Sequence, residues 1–229
     1  MTVTELGCCG VKPGLKILDQ DTPEGQIFIG VYNMIVSSPG APHRVYLSID
    51  LDEPSKMYGL FDWDSVEHHE RFAKAFGKDF QSDLAKVLTH GEYVKHIAAT
   101  PSLQEALTSP ATDAFLVYYA SDISAAEKDK VTADLGEILD GRLRPHPDVT
   151  AFSYGWGLQN DFPVRGKDGG EDVGSAFSAF VGWSTTEART RFRESGAHDA
   201  IRQSIRASDG VVALKALRLA CTLLEKTTE

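Results

Sequence analysis

The chain contains no run of about 18 apolar residues, the length that a helix needs to cross a bilayer. Its N-terminus, MTVTELGCCGVK, lacks the basic-then-apolar order of a secretory signal. A soluble protein of the cytoplasm is expected, with no membrane partner. Basic residues are also in deficit. With 23 Lys and Arg against 33 Asp and Glu, the net charge is −10, which opposes phosphate backbones and anionic lipid, so no nucleic-acid partner is expected. Cysteine is sparse and odd in number. Cys8 and Cys9 are adjacent and would need a strained eight-membered ring to bridge, so reduced thiols are the reading for them and for Cys221. Metal signatures are missing too: the seven histidines include no His-x-x-x-His or His-Glu-x-x-His, and no Cys-x-x-Cys occurs. Gly-x-Ser-x-Gly and Walker-type phosphate loops are absent, and Gly155-Trp156-Gly157 is too short for a dinucleotide fingerprint.

What remains is 229 residues of ordinary globular composition, a length between one and two typical domains. The second half is the easier to read. DAFLVYYA (113–120) has the length and composition of a strand. Ser124 and Glu127 have capping-box spacing and open a helix marked by Val131, Leu135, Ile138 and Leu139. Pro145 and Pro147 break the chain before a strand with alternating Phe152, Tyr154 and Trp156. Residues 161–174 read as a Gly- and Asp-rich loop. A strand then ends at Trp183, Ser184 and Glu187 repeat the cap spacing, and a helical region broken at Gly196 runs to about Arg206. Residues 211–224 suit helix or strand. If they begin as a strand, the order is β-α-β-β-α-β, the ferredoxin-like plan.

The first half gives the same order, with strands at TVTELGCCGV, HRVYLSIDL, KMYGLFDW and EYVKHIAA. Its weak element follows Thr22-Pro23-Glu24. Pro at the first helical position and Ile27, Phe28, Val31 and Ile35 favour a helix, whereas Gly25, Gly30 and the β-branched content favour a strand; helix is preferred. Trp63 and Trp183 lie 120 residues apart, and at that offset Glu67, Arg71, Phe72 and Asp79 meet Glu187, Arg191, Phe192 and Asp199. Polar caps at Asp64 and Ser184 correspond as well. An internal duplication follows, with units 1–105 and 106–229 joined by the linker 100–112.

A strand-ending Trp-x-[Ser/Thr]-x-Glu with an amphipathic helix after it, present as Trp63-Asp64-Ser65-Val66-Glu67 and Trp183-Ser184-Thr185-Thr186-Glu187, resembles the dimeric α+β barrel superfamily. That superfamily includes antibiotic-biosynthesis monooxygenases, stress-responsive A/B-barrel proteins, polyketide cyclases, EthD-like proteins and some haem enzymes. Trp156-Gly157, a polar loop, a strand and Gly196-Ala197-His198 resemble the stress-responsive and cyclase branch, with His198 on the second histidine of its His-Pro-Ala-His motif. Ser195 and Gly196 depart from that motif, Phe192 stands where the cyclases carry tyrosine, and Lys78 aligns with His198 in the first half. The resemblance implies an α+β fold in which tandem ferredoxin-like (βαββαβ) units pack their antiparallel sheets into one intrachain α+β barrel. A monomer would then suffice, with further homo-oligomerisation possible.

His198 shares a helical face with Ile201 and Ile205, so its imidazole is aimed at the sheet, where it could act as a general base or be a hydrogen-bonded core histidine. His69, on the face of Val66, Ala73, Phe76 and Phe80, is a second inward base, while His68 looks outward; Arg189 holds the repeat position of His69. Tyr154 is the expected donor to a substrate oxygen. Tyr46, Tyr58, Trp156 and Trp183, with Arg189, could wall a binding cavity or simply pack the core. The resemblance implies cofactor-independent cyclase, isomerase or lyase chemistry on a hydrophobic, carbonyl-bearing, polyketide-like molecule. A cofactor-free monooxygenase and a non-catalytic ligand-binding or stress-response module are the alternatives. No metal or cofactor is expected, although haem stays open because any inward histidine could serve as its axial ligand.

Overall fold

The computed structural model describes residues 2–165 and 172–226. It is an α+β protein with two compact units, Met1–His96 together with Cys221–Glu229, and Ile97–Ala220. Among the described residues, no helix is long and apolar enough to cross a membrane.

The first unit runs β1 (Val3–Val11), α1 (Pro23–Ser37), β2 (Arg44–Ile49), β3 (Lys56–Trp63), α2 (Val66–Phe76), α3 (Gln81–Val87) and into β4 (Leu88–Thr100), whose last four residues belong to the second unit. Its strands lie in the order β4-β1-β3-β2, with β3 antiparallel to both β1 and β2. The doubtful segment is helical. The Thr22 hydroxyl accepts from the Gly25 N–H at 3.1 Å and Pro23 fixes the first turn. Gly25, which had argued for a strand, is explained by close approach, because a Cβ there would lie 1.8 Å from the Asp19 carbonyl oxygen.

The second unit continues with α4 (Gln104–Leu107), β5 (Ala111–Tyr119), α5 (Ala125–Leu143), β6 (Val149–Gly157), β7 (Phe162–Pro163), β8 (Val173–Trp183), α6 (Thr186–Glu194), α7 (Ala197–Arg206) and β9 (Ala213–Leu219). Its order is β9-β5-β8-β6, all antiparallel, with the end of β4 added beside β6. The Ser124–Glu127 capping box forms. The loop expected over 161–174 begins with β7, paired to the start of β8, and residues 166–171 lie outside the described part.

Two local expectations are corrected. The helix caps are Ser65 and Thr185, one residue later than the expected Asp64 and Ser184; their hydroxyls accept from the His68 and Ala188 N–H groups at 3.2 and 3.0 Å. Asp64 is drawn instead to His43, at 2.7 Å, and Ser184 to Asp148. The ambiguous C-terminal stretch forms two strands and no helix. After β9, β10 (Thr222–Glu225) pairs with β2 in the first unit.

Alternation decides which side chains lie beneath the helices. In the first unit Val11, Met57, Phe61 and Trp63 share a core with Phe28, Val31, Ile35 and Phe72. In the second, Phe115, Val117, Phe177, Val181 and Trp183 pack against Leu135, Leu139, Phe192, Ile201 and Ile205.

Candidate active site

Strand register brings a carboxylate to a tryptophan. Val3 pairs with Trp63 across β1 and β3, and Glu5, two residues along, points to the same helix-covered face. The Trp63 Nε1–H donates to Glu5 Oε2 at 2.8 Å, and only 6% of Glu5 is exposed. Trp63 is held in turn by ring contacts with His69 at 5.1 Å and Phe72 at 5.4 Å.

His69 lies in the first turn of α2, placed by the Ser65 cap. Its Nε2 is 3.4 Å from Glu5 Oε2, slightly longer than an ordinary hydrogen bond, and its Nδ1 is 2.9 Å from Nε2 of His96 on β4. His96 is buried, whereas the His69 side chain keeps 17% of its surface exposed. Residues 5, 63, 69 and 96 therefore form one buried chain from indole through carboxyl to two imidazoles. His68 turns outward, with its Nε2 3.0 Å from the Gly40 carbonyl and Nδ1 3.2 Å from Asp64.

Burial disfavours charge on every member whose ionisation is perturbed. It pushes the Glu5 carboxyl up from 4.5 to about 7, against the opposing pull of the Trp63 hydrogen bond. Burial, helped by His96 and His68, pulls His69 down to about 4. The neighbouring Cys9 thiol and Tyr32 hydroxyl are pushed up by burial and by Glu5 itself, so both stay protonated. Glu5 thus stands near its midpoint at neutral pH beside a neutral imidazole.

The geometry links two proton arrangements. With Glu5 protonated, its O–H points at His69 Nε2, and the His69 Nδ1–H donates to His96. With Glu5 ionised, His69 Nε2–H faces the carboxylate and His96 Nε2–H donates to His69 Nδ1. A proton taken up at one end can be released at the other by switching tautomers. That is the equipment of general acid–base chemistry.

The second unit places a carboxylate at the same register and surrounds it differently. Ala111 pairs with Trp183, and Asp113, two residues along, accepts from Trp183 Nε1–H at 3.1 Å. Arg193 Nη1 stands 3.5 Å from Asp113 Oδ1. Burial raises the Asp113 carboxyl, and Arg193, Arg189 and Arg218 work against it. Arg189, expected at a substrate pocket, is wholly buried and donates to the Leu219 and Thr112 carbonyls at 2.8 and 3.4 Å.

His198 is aimed at the sheet as the spacing indicated, and is 2% exposed. Its ring stacks on Phe115 at 5.5 Å, and Arg193 Nη1 lies 3.3 Å from its Nε2. Burial, then Arg193 and Arg202, bring it down to about 4. Tyr154 packs on Phe152 and Phe177 with its hydroxyl against Gly136 of α5, and Trp156 donates to Thr132 Oγ1 at 2.9 Å. Tyr46 donates to Asp62 Oδ2 at 3.1 Å, and Thr4 donates to Asp62 Oδ1 at 2.9 Å. Tyr58 is buried two positions from Leu60 on β3. The structure thus joins His69 to Glu5, and Trp183 and Arg189 to the surroundings of Asp113, while Tyr154 and Trp156 line α5.

Glu5, His96, Asp113 and Arg193 were missed from the sequence. The available signal was a lone acid inside each opening strand, at positions whose alternation turns it toward the strand-ending tryptophan. Haem does not fit the two histidines proposed as its ligands: both ring nitrogens of His69 face Glu5 and His96, and His198 has a guanidinium at Nε2. Among the described residues, no cluster of three or more His, Cys, Asp or Glu side chains is placed to hold a metal ion.

No protein-family model matches the chain, and no curated protein sequence does either. Solved structures share its fold. An anthrone oxidase-like protein superposes over 97% of this chain and 92% of its own with a TM-score of 0.63 at 16% identity. A protein provisionally named a monooxygenase, from Fusobacterium nucleatum, covers 98% and 94% with a TM-score of 0.57 at 11% identity. A variant chlorite dismutase from Candidatus Nitrospira defluvii covers 96% and 91% with a TM-score of 0.53 at 12% identity. The likeness to these solved structures is one of fold, carried over nearly the whole chain.

Proposed function

We propose that the protein is a small-molecule enzyme in which Glu5 and His69 remove and return a proton on a hydrophobic, carbonyl-bearing or phenolic substrate. The observation that carries this reading is the buried Trp63–Glu5–His69–His96 chain, whose carboxyl is poised near 7. A group with that affinity for protons is half loaded at neutral pH, so it serves equally as acid and as base. Trp63 orients the carboxyl, and His96 exchanges hydrogen-bond roles with His69 as the proton moves. We assign His198 to packing rather than chemistry because Arg193 faces its free lone pair.

We also read the two units as fused ferredoxin-like copies. Their strand orders agree, and each sets a first-strand carboxylate against the indole N–H of a strand-ending tryptophan.

Proton removal next to a carbonyl leads to cyclisation, isomerisation or elimination without a cofactor, and these are the reactions favoured. A second outcome is cofactor-free oxygenation, in which an electron-rich anion formed by the same step reduces oxygen. The names of the superposing oxidase-like and monooxygenase proteins favour including it. Solvent-deuterium exchange into 1,3-dicarbonyl and anthrone-type probes, followed by NMR beside an oxygen electrode, separates the outcomes. Exchange without oxygen uptake supports the first, and uptake supports the second. Glu5→Gln is expected to lower either rate about 100-fold or more. Undiminished rates in Glu5→Gln and His69→Asn would remove the proposed machinery.

A further inference from the structure

The second unit contains a cavity of about 400 Å³ that the acid–base reading does not use. It lies where β5 ends, against the first turns of α5 and the Asp209–Gly210 turn before β9. At its base is Tyr119. The residue lines the cavity yet is only 2% exposed, and its buried hydroxyl has no hydrogen-bond partner. A buried phenol left unpaired is costly unless something completes it.

The ring is fixed in place. It leans on Trp156 with centroids 5.5 Å apart, and Trp156 is anchored to Thr132 and covered by the Lys128 ammonium at 5.1 Å. On its other edge Gly210 adopts φ +73°, where a Cβ would come within 3.6 Å of the ring.

The charge around the phenol has one dominant sign. Asp122, Glu127, Asp134 and Asp209 line the cavity with a single cation, Lys130, which stands 3.8 Å from Asp209. Burial, then Asp134 and Asp209, push the Tyr119 hydroxyl up, so it remains a neutral donor and acceptor. Ile123 and Val131 supply apolar wall. No three acidic groups are placed to hold a metal ion among the described residues, so the excess negative charge suits a cation that brings its own apolar body.

We propose that this cavity binds a small organic ammonium compound. The ammonium lies toward Asp134 and Asp209 and donates to the Tyr119 hydroxyl oxygen, while the ligand's apolar part packs against Ile123 and Val131. The volume is adequate for an arylalkylamine, and the aromatic floor favours a cation over its neutral analogue.

Isothermal titration of the full chain with phenethylammonium chloride, beside neutral 2-phenylethanol, tests this at low and at raised salt. Saturable binding of the amine, weakened by salt and absent for the alcohol, is expected. The double variant Asp134→Asn/Asp209→Asn is expected to bind about tenfold more weakly. Tyr119→Phe is expected to weaken binding, and Lys130→Gln to tighten it by about threefold because a competing cation has gone. A gain of affinity cannot come from a misfolded pocket, so Lys130→Gln decides the matter even if the aspartate variants fold poorly. Equal binding of amine and alcohol, binding of neither, or an amine affinity unchanged in Lys130→Gln would overturn the proposal. None of these results bears on Glu5, whose role is tested separately.

Discussion

Glu5 and Asp113 occupy the same place in their sheets, each two residues beyond the strand residue that faces a strand-ending tryptophan, and each accepts from that indole. Their surroundings differ by the residues the following helix supplies. At the offset of 120, His69 is replaced by Arg189 and Ala73 by Arg193. Where the helix offers an imidazole and no cation, burial pushes the carboxyl up to about 7. Where it offers guanidinium groups, burial still raises the carboxyl but they oppose it, with Arg193 3.5 Å away. One backbone position thus carries a carboxyl beside an imidazole in one unit and beside guanidinium groups in the other. The difference lies in charge compensation.

The largest effect expected from this contrast follows removal of an arginine. Arg189→Met takes a buried cation from the surroundings of Asp113 and should destabilise the second unit by about 3 kcal/mol or more in urea unfolding. Glu5→Gln, which imitates the protonated carboxyl already favoured by burial, should cost less than about 1 kcal/mol near neutrality. Similar losses from both substitutions would erase the distinction.

The next effect concerns pH. Glu5 holds its proton more tightly when folded, so its contribution is complete below 4.5 and is lost as pH rises through about 7, a change of about 3 kcal/mol. His69 holds its proton less tightly when folded, so its contribution grows as pH rises from about 4 to 6.5. In the native chain the opposing slopes offset each other between pH 4.5 and 6.5. Chemical denaturation across that range should show stability falling with pH in His69→Asn and rising with pH in Glu5→Gln. Parallel profiles in the two variants would show that the groups do not oppose one another.

A smaller change should follow loss of the indole donors. Trp63→Phe removes the hydrogen bond that lowers Glu5, so its carboxyl should move further up, whereas Trp183→Phe leaves the arginines facing Asp113. Carboxyl titrations of the two variants compare these responses. The smallest effects belong to the matched caps: Ser65→Ala and Thr185→Ala should each cost about 1 kcal/mol, read as lowered denaturant midpoints.

Much of the frame was legible because it is written locally. Alternation gave the strands around Trp63, Tyr154 and Trp183, and the Ser124–Glu127 spacing gave a cap that forms. The cap positions slipped by one residue because Asp64 and Ser184 have long-range partners that no local spacing reveals. The site was half legible. His69 was read as inward from its helical stripe, but Glu5 and His96 reach it only through strand pairing. His198 was aimed correctly, yet the guanidinium at its Nε2 comes from the preceding helix across the Gly196 turn, a bend that helical periodicity cannot carry.

The central claim is that Glu5 titrates near neutrality. Carbon-13 NMR of side-chain carboxyl-labelled glutamate, with Glu5→Gln identifying the resonance, measures it directly. A midpoint near 7 that moves when His69 is replaced is the expected result. A midpoint at the ordinary 4.5, unmoved by His69→Asn, would contradict the account.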